Sequence, residues 1–404
     1  MELPWAATAT RFEETGQRFL DHSIEFYVKH AVVLGGTLFA TYVLLVLATA
    51  FIKPVTDWDI LAYIAVAAEH NFASPAALHA HTYQTLKDHV SDADFLRLTS
   101  DGEYRRVMSS DPAAFMSMLG MYRVKYLYCQ LLAALSALMS PIWAVRTISA
   151  VSAAAFGAIS FAWLKHNRAL SLAPIFAGIL IVTGFADMAR AVSPDMVFAA
   201  TVLVGLYAHV KRLELLSALL LFAAFLLRPD NIIFLGLFAV LLAIFRQWSW
   251  GVFAAFAAAA IVFIPLTLYT GAPGWWPHLV FTSSSDLPVT LDGYHPPFSI
   301  LNYVKAFLKQ FLKALTSEPW IGVLLLMLAG WYVVDRPNQP LSRQSRILML
   351  ALVLGIAAKF IVLPVYETRI FFPFLVAPFL VFSSSLVAIW PVAGERLDDE
   401  MPLT

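Results

Sequence analysis

Long apolar segments recur along the whole chain, and they constrain the fold more than any other sequence feature. The first runs from 32 to 52. Further segments lie near 124–140, 144–164, 170–186, 194–210, 213–227, 231–245, 250–270, 319–334, 346–363 and 370–390. A helix of about 20 apolar residues crosses the hydrocarbon core of a bilayer. The pattern therefore predicts an all-α polytopic membrane protein with about 10–12 transmembrane helices.

Composition narrows the possible classes further. Hydrophobic residues make up 60% of the chain and charged residues 13%, whereas soluble domains carry about 25% charged residues. The formal net charge is zero, which argues against a nucleic-acid partner. Cys129 is the only cysteine, so no intrachain disulfide can form. The sequence contains no Walker-type phosphate loop and no dinucleotide fingerprint, so an activated donor is expected to come from the membrane.

Two polar stretches divide the chain. An N-terminal interfacial helix (1–29) is predicted to precede a transmembrane module (30–270) that contains a first polar loop (53–123). A second polar loop (271–318) precedes the last spans and a short tail (319–404). Both loops carry segments that are expected to lie at the membrane surface.

The second loop contains the clearest amphipathic pattern, over 301–315. Lys305, Lys309 and Lys313 recur every four residues and therefore share one helical face. A helix of this kind lies on the membrane with its apolar side in the lipid. Its lysines either anchor the helix over lipid headgroups or contact the phosphate of a lipid-linked substrate, and Lys305 is our candidate for that contact.

Basic residues mark alternate turns and indicate an orientation. The basic turns lie at 165–168, 211–212, 246 and 335–346. Short cytoplasmic loops are enriched in Lys and Arg, so we expect these turns in the cytoplasm and loop 53–123 on the external, periplasmic face of an inner membrane. With a cytoplasmic N-terminus, this alternation requires that 124–140 is not a full span or that one weak segment is miscounted. An external N-terminus is the other solution.

An acidic pair, Asp57 and Asp59, follows the first apolar segment directly. Trp58 stands between the two carboxylates and is expected at the headgroup level of the membrane. A carboxylate in this place can act as a general base on a substrate that lies in the membrane plane. The alternative is a simple helix start, because Asp is favoured in a first helical turn. Asp57 and Asp59 are the candidate catalytic residues.

Other polar groups lie at the edges of spans, where charge is costly and often functional. Asp195 and Asp230 follow prolines, a pattern that also suits a helix start. Arg228 and Arg369 gain nothing from such a start, and the planar guanidinium suits phosphate oxygens.

A further group of candidates combines basic and aromatic residues. Arg123 and Lys125 stand among tyrosines at the entry to the 124–140 segment, where they either snorkel to the interface or contact an anionic lipid. His295 follows Tyr294 in an aromatic stretch that suits a sugar face or an interfacial belt equally well. Tyr366 precedes the charged Glu367-Thr368-Arg369 turn. We include these residues among the substrate-binding candidates.

Taken in order, these motifs resemble the GT-C superfamily of polytopic glycosyltransferases, which includes protein O-mannosyltransferases and lipid A aminoarabinose transferases. The resemblance covers about residues 30–380 as a pattern of short motifs. The motifs are Asp57-Trp58-Asp59 after the first span, Arg123 or Lys125 at the entry to an apolar segment, Pro194-Asp195, Arg228-Pro229-Asp230, and Arg369 followed by Pro373.

The resemblance implies transfer of a sugar from a polyprenyl-phosphate donor to a lipid, glycan or protein acceptor at the external face. Asp57 would then be the base and Asp59 a second acidic group. Arg123, Lys125, Arg228 and Arg369 would hold the phosphate leaving group.

Two alternatives to this function are open. A transporter or flippase of a lipid-linked sugar would show internal repeats and broken helices, and no internal repeat is visible. A non-catalytic assembly subunit would not need the acidic and basic set. We expect no cofactor, although Asp57 and Asp59 have the oxygen ligands that Mg²⁺ or Mn²⁺ would use. The His79-x-His81 spacing lacks a second pair of metal ligands.

Overall fold

The structure, a computed structural model, describes residues 4–284, 287–337 and 340–389, and these ranges contain α-helices but no β-strand. The helices are α1 (Pro4–Ile52), α2 (Asp59–Ala68), α3 (Pro75–Lys87), α4 (Asp92–Ser100), α5 (Gly102–Ser110), α6 (Pro112–Met118), α7 (Gly120–Arg123), α8 (Tyr126–Ser136), α9 (Pro141–His166), α10 (Ala173–Val182), α11 (Phe185–Arg190), α12 (Asp195–Val210), α13 (Glu214–Leu227), α14 (Ile232–Ile244), α15 (Trp250–Thr270), α16 (Trp275–Ser283), α17 (Ile300–Ser317), α18 (Trp320–Val334), α19 (Arg343–Val362) and α20 (Thr368–Ile389). Short 3₁₀ turns precede α10 and α14. The protein is therefore all-α.

Several helices have the length and composition of membrane spans. In the described residues five helices are long and apolar enough, namely the Lys29–Ile52 part of α1, α9, α15, α19 and α20. A sixth span results if α17 and α18, which are bent by 76°, are taken together. Shorter apolar helices of 10–17 residues include α8, α12 and α13. This is the pattern of a polytopic membrane protein.

The first helix is longer than the sequence predicts. α1 runs unbroken from Pro4 to Ile52, so the predicted interfacial helix and the first span form one element. No proline lies between its first residue and Pro54, and a helix without such a break can continue. Gly35 does not end it. A Cβ atom there would lie 2.2 Å from the carbonyl oxygen of Leu170, so glycine allows α1 to pack closely against the turn before α10.

The segment at 124–140 contains a short helix. α8 has 11 residues, which corresponds to about 16 Å of helix. The hydrocarbon core of a bilayer is about 30 Å thick. α8 alone is too short to be a full span, in agreement with one of the solutions left open by the sequence.

The turns between helices gather at opposite ends of the bundle. We call the turns after α9, α12, α14 and α18 the basic end. There Lys211 Nζ lies 2.9 Å from His166 Nδ1, and Arg343 donates a hydrogen bond of 2.5 Å to the Phe245 carbonyl. The turns after α1, α11, α13, α15 and α19 form the loop end. The amide of Val55 there donates to the Arg190 carbonyl at 3.0 Å.

Three helices terminate at the basic end with an unusual residue. Arg168, Arg212 and Arg246 follow α9, α12 and α14 with φ values of 53°, 59° and 50°. These are left-handed conformations, which glycine normally occupies at the end of a helix. After α9, the amide of Ala169 closes the turn by donating to the Leu164 carbonyl at 2.8 Å. The same bond recurs after α12 and α14.

α20 occupies the centre of the bundle. The most apolar part of this helix is 78% buried, the highest value among the candidate spans. Its phenylalanines contact rings of three other helices: Phe371 lies 4.8 Å from Trp320, Phe372 5.2 Å from Phe156, and Phe374 4.9 Å from Phe234. Because α20 is surrounded on all sides, its first turn is held at the middle of the loop end.

Candidate functional site

The first polar loop packs its acidic motif against its own aromatic core. Trp58 is only 7% exposed and contacts Tyr104, Phe115 and Tyr122 at ring separations of 5.1, 6.0 and 6.2 Å. Trp58 is therefore packed inside the protein, and its expected place at the headgroup level stays a prediction. Buried Trp58 holds the two neighbouring carboxylates in defined places.

Asp59 and Asp57 have different surroundings. Asp59 begins α2 and accepts a 2.8 Å hydrogen bond from the Tyr122 hydroxyl. Asp57 precedes the helix, and its Oδ1 atom is buried with no hydrogen-bond partner in the described residues. Burial and the Asp59 carboxylate raise the pKa of Asp57 to about 7, and the cations Arg369 and Lys125 offset only part of this effect. A carboxylate with this pKa can take up a proton near neutral pH.

Asp195 binds two arginine side chains at the site. It opens α12, is 3% exposed, and accepts a 3.0 Å hydrogen bond from the Ser193 hydroxyl. Its Oδ1 atom binds Arg228, and its Oδ2 atom lies 3.3 Å from Nη1 of Arg369. The carboxylate therefore binds two guanidinium groups, and the turn before α12 shows no side-chain cap. Asp195 therefore positions the two arginines and does not cap its helix.

Asp230 forms a second part of the same network. Its Oδ1 atom lies 3.4 Å from Nε of Arg228, and its Oδ2 atom lies 2.9 Å from Nζ of Lys359. Lys359 is 2% exposed inside α19 and also lies 5.0 Å from the centre of the Phe374 ring. The sequence analysis missed Lys359, although a lysine inside an apolar span is itself a functional signal.

Lys125 brings a further cation to this region. Its Nζ atom donates a 2.7 Å hydrogen bond to the Tyr63 hydroxyl and lies 5.1 Å from the centre of the Tyr122 ring. Burial lowers the pKa of Lys125, while the Asp59 carboxylate acts in the opposite direction. Tyr122 binds Asp59, so the tyrosine pair connects Lys125 to the acidic motif.

A largely apolar cavity of about 310 Å³ lies beside Lys125 and Arg228. Asp230 and His278 also line it, and apolar side chains from α14 and α15 form much of the remaining wall, including Ile233 and Phe263. Burial and nearby Lys125 lower the pKa of His278 to about 4, so this imidazole is neutral at pH 7. The cavity therefore combines an apolar wall with cations at one edge, a combination that suits a lipid phosphate.

A second cavity of about 530 Å³ lies beside Arg369. Polar side chains from three separate segments line it, including Ser193, Glu318, Tyr366 and Glu367. Glu367 binds Nε of Arg369 at 2.6 Å. Arg228 faces the apolar cavity and Arg369 the polar one, while both bind Asp195. The Asp195 carboxylate thus joins the edges of two cavities with different chemistry.

The structure does not bring every predicted residue to this site. Arg123 binds Glu69 in a separate cavity. His295 lies exposed in the segment before α17, and Lys305 is exposed on α17. The lysine of α17 that approaches the site is Lys313, whose Nζ atom lies 3.7 Å from the centre of the Tyr366 ring. Sequence spacing put three lysines on one face but could not indicate which of them lies near Tyr366.

No group of three or more His, Cys, Asp or Glu side chains suited to a metal is present in the described part of the chain. His79 is 2.9 Å from the Met108 carbonyl, and the ring of His81 lies 4.7 Å from that of Phe72. The two histidines of the His-x-His motif thus have separate partners.

Comparisons of the chain with protein-family models, with curated proteins and with solved structures found no match. The chemistry of the site is therefore the basis for the function proposed below.

Proposed function

We propose that the protein is a GT-C-like glycosyltransferase of a bacterial-type inner membrane, with its active site at the loop end on the periplasmic side. One observation carries the proposal: Asp57 interacts electrostatically with Lys125, which lines the apolar cavity, and with Arg369, which lines the polar one. Five or six helices have the length and composition of spans, and the shorter apolar helices would bring the number toward the predicted 10–12 only if they also enter the membrane.

The apolar cavity suits the donor. A polyprenyl-phosphate sugar has a long apolar tail and an anionic phosphate, and both need partners at the same place. Lys125 and Arg228 supply the cations, and Ile233 and Phe263 contribute to the apolar wall. Asp230 binds Arg228, and Lys359 binds the second oxygen of the same carboxylate. The phosphate would displace part of the present pairing of Arg228.

The polar cavity suits the acceptor. Its walls carry hydroxyl, carboxylate and guanidinium groups, which can bind the hydroxyl groups of a lipid, glycan or protein side chain. Val55, two residues before Asp57, belongs to this wall. An acceptor hydroxyl held there would lie near the first-loop carboxylates.

The proposed reaction is a single displacement. Asp57 takes the proton of the acceptor hydroxyl as its oxygen forms a bond to the anomeric carbon of the sugar. The bond between that carbon and the phosphate oxygen breaks, and its electron pair leaves with the lipid phosphate. Lys125 and Arg228 match the negative charge that develops on the phosphate. Two cavities that hold the donor and the acceptor close together would supply much of the remaining acceleration.

Transfer by purified protein in nanodiscs tests the proposal, with a panel of polyprenyl-phosphate sugars and acceptors. Asp57→Asn keeps the size of the side chain but removes the base, so we expect turnover to fall by about 10²–10⁴-fold while donor binding persists. Asp92→Asn is the matched control, because Asp92 is an exposed acid of the same loop. Donor binding without turnover in the wild type, across the whole panel, would instead indicate a lipid-linked-sugar transporter.

A further inference from the structure

A third cavity, of about 370 Å³, is lined by residues that belong to neither of the two cavities described above. It forms where the end of α2 meets α8 and the end of α15. The side chains that matter here are Glu69, His70, Arg123, Gln130, Tyr126 and Tyr269. Gly120 permits this junction, because a Cβ atom there would lie 2.2 Å from the carbonyl oxygen of Gly271.

The charges in this cavity cancel. Arg123 and Glu69 form a two-point pair, with Nε of Arg123 2.8 Å from Oε2 of Glu69 and a second contact between Nη2 and Oε1. Both side chains remain about a third exposed, so they can still reach a ligand. Because the carboxylate neutralises the guanidinium, the cavity favours a head group without net charge over an anion.

The remaining groups suit a sugar. Tyr126 and Tyr269 are exposed by 36% and 73%, and their rings lie 6.4 Å apart. Aromatic rings pack against the apolar face of a sugar and keep their hydroxyl groups in water. Gln130 and His70 add a donor and an acceptor each, which sugar hydroxyls can satisfy in both directions.

An apolar groove of about 330 Å³ continues from the two tyrosines along α13 and α15. Its walls are Phe222, Leu226, Val262, Pro265 and Leu266, all on helices that are apolar enough to lie in the membrane. Tyr126 and Tyr269 line both the third cavity and the groove. The third cavity is polar and the groove is apolar, so together they match a lipid with a polar head group and an apolar chain.

We propose that this site binds one neutral glycolipid, with its sugar between Arg123, Glu69 and Tyr269 and its chain in the groove. α2 has 10 residues, so Glu69, just past its end, lies about 15 Å along the helix from Asp59. The glycolipid site is therefore distant from the acidic motif, and its cavity shares no lining residue with the two cavities of the proposed reaction site. It does not depend on the proposed function, because binding can be measured without turnover.

Native mass spectrometry of the full chain tests the proposal, with a monoglucosyl diacylglycerol, phosphatidylethanolamine and phosphatidylglycerol offered at equal concentration. We expect the glycolipid to bind about tenfold more tightly than either phospholipid, and Tyr269→Ala to remove that difference. Tyr332→Ala is the control, because Tyr332 is 86% exposed on α18, away from the cavity. Equal binding of the three lipids, or a preference unchanged by Tyr269→Ala, would overturn the proposal.

A charge variant tests the neutrality argument separately. Glu69→Gln keeps the shape of the side chain but leaves Arg123 unmatched, so we expect a gain of about tenfold in phosphatidylglycerol binding. Unchanged melting in lipid shows that the variant is folded. If phosphatidylglycerol binding does not rise in a folded variant, the cancellation of charge does not select the head group and the proposal fails.

Discussion

Asp57 and Asp59 differ from the other acids around them because neither forms an ion pair in the described residues, and Asp59 instead accepts a hydrogen bond from Tyr122. Asp195 binds two arginines, Asp230 binds Arg228 and Lys359, and Glu367 binds Arg369. Those carboxylates are committed to holding cations. Asp57 keeps a buried oxygen without a partner, which leaves it available to accept a proton.

The protonation of Asp57 predicts a pH dependence. The base must be ionised, so the transfer rate should rise as pH increases through about 7 and level off above it. The stability of the protein should change with pH in the opposite direction. Because the pKa of Asp57 is raised in the folded state, its contribution to the unfolding free energy falls as pH increases from about 4 to 7. Rate profiles and melting in lipid between pH 5 and 9 measure both effects.

Asp57→Asn should therefore lose activity without losing stability. At pH 8 the variant removes a buried charge, and we expect its melting temperature to equal or exceed that of the wild type. A clear drop in the melting temperature would contradict the view that Asp57 is an unpaired acid in a costly environment.

Replacement of Asp195, by contrast, should lower the stability of the protein. Asp195→Asn leaves Arg228 and Arg369 without their shared carboxylate, and breaking a buried ion pair costs about 3–5 kcal/mol of unfolding free energy. Asp187→Asn is the control, since the Asp187 side chain is 79% exposed and pairs with Arg190 at the surface. Unfolding of both variants in mixed micelles decides the comparison, and equal stabilities would show that Asp195 is not an anchor.

At this scale the sequence could predict which residues are chemically unusual but not which of them meet. Asp57, Lys125, Asp195, Arg228 and Arg369 were each found from their position at a span edge, and the structure gathers them. Arg123 has the same local pattern as Lys125. Only the fold decides that Arg123 turns to Glu69 while Lys125 turns to Tyr63.

At the scale of elements, apolar runs predicted helices well because a bilayer-length run has few other stable structures. The amphipathic pattern over 301–315 is present as α17, Ile300–Ser317. The predicted interfacial helix and the first span form one continuous helix, α1. Charged residues before a span do not end a helix, and nothing else in that sequence does.

The arginines after α9, α12 and α14 give a prediction about these helix ends. Arg168→Gly should raise the unfolding free energy by about 1 kcal/mol, because glycine adopts the left-handed conformation without strain. Arg168→Ala is the control: it removes the same charge but keeps the strained backbone. An equal gain in both variants would mean that charge, and not conformation, sets the stability of this turn.

At the scale of the whole molecule, the separation of the basic end from the loop end makes the topology testable. Cys129 is the only cysteine and is 2% exposed, so labelling of the native chain should be low. We expect a membrane-impermeant maleimide to label Asp101→Cys in intact spheroplasts and Gln247→Cys only after permeabilisation. Labelling of both from the same side would contradict the proposed orientation.

Because Asp195 binds two arginines, ligand binding in one cavity has a consequence for ligand binding in the other. One carboxylate holds an arginine at the edge of each cavity. An anion that draws Arg228 away leaves Asp195 to bind Arg369 more fully, and this changes what the other cavity can hold. Two such ligands are thermodynamically linked, and each must alter the affinity of the other by the same factor. A carboxylate that binds one arginine of each cavity would make the occupancies of the two cavities cooperative.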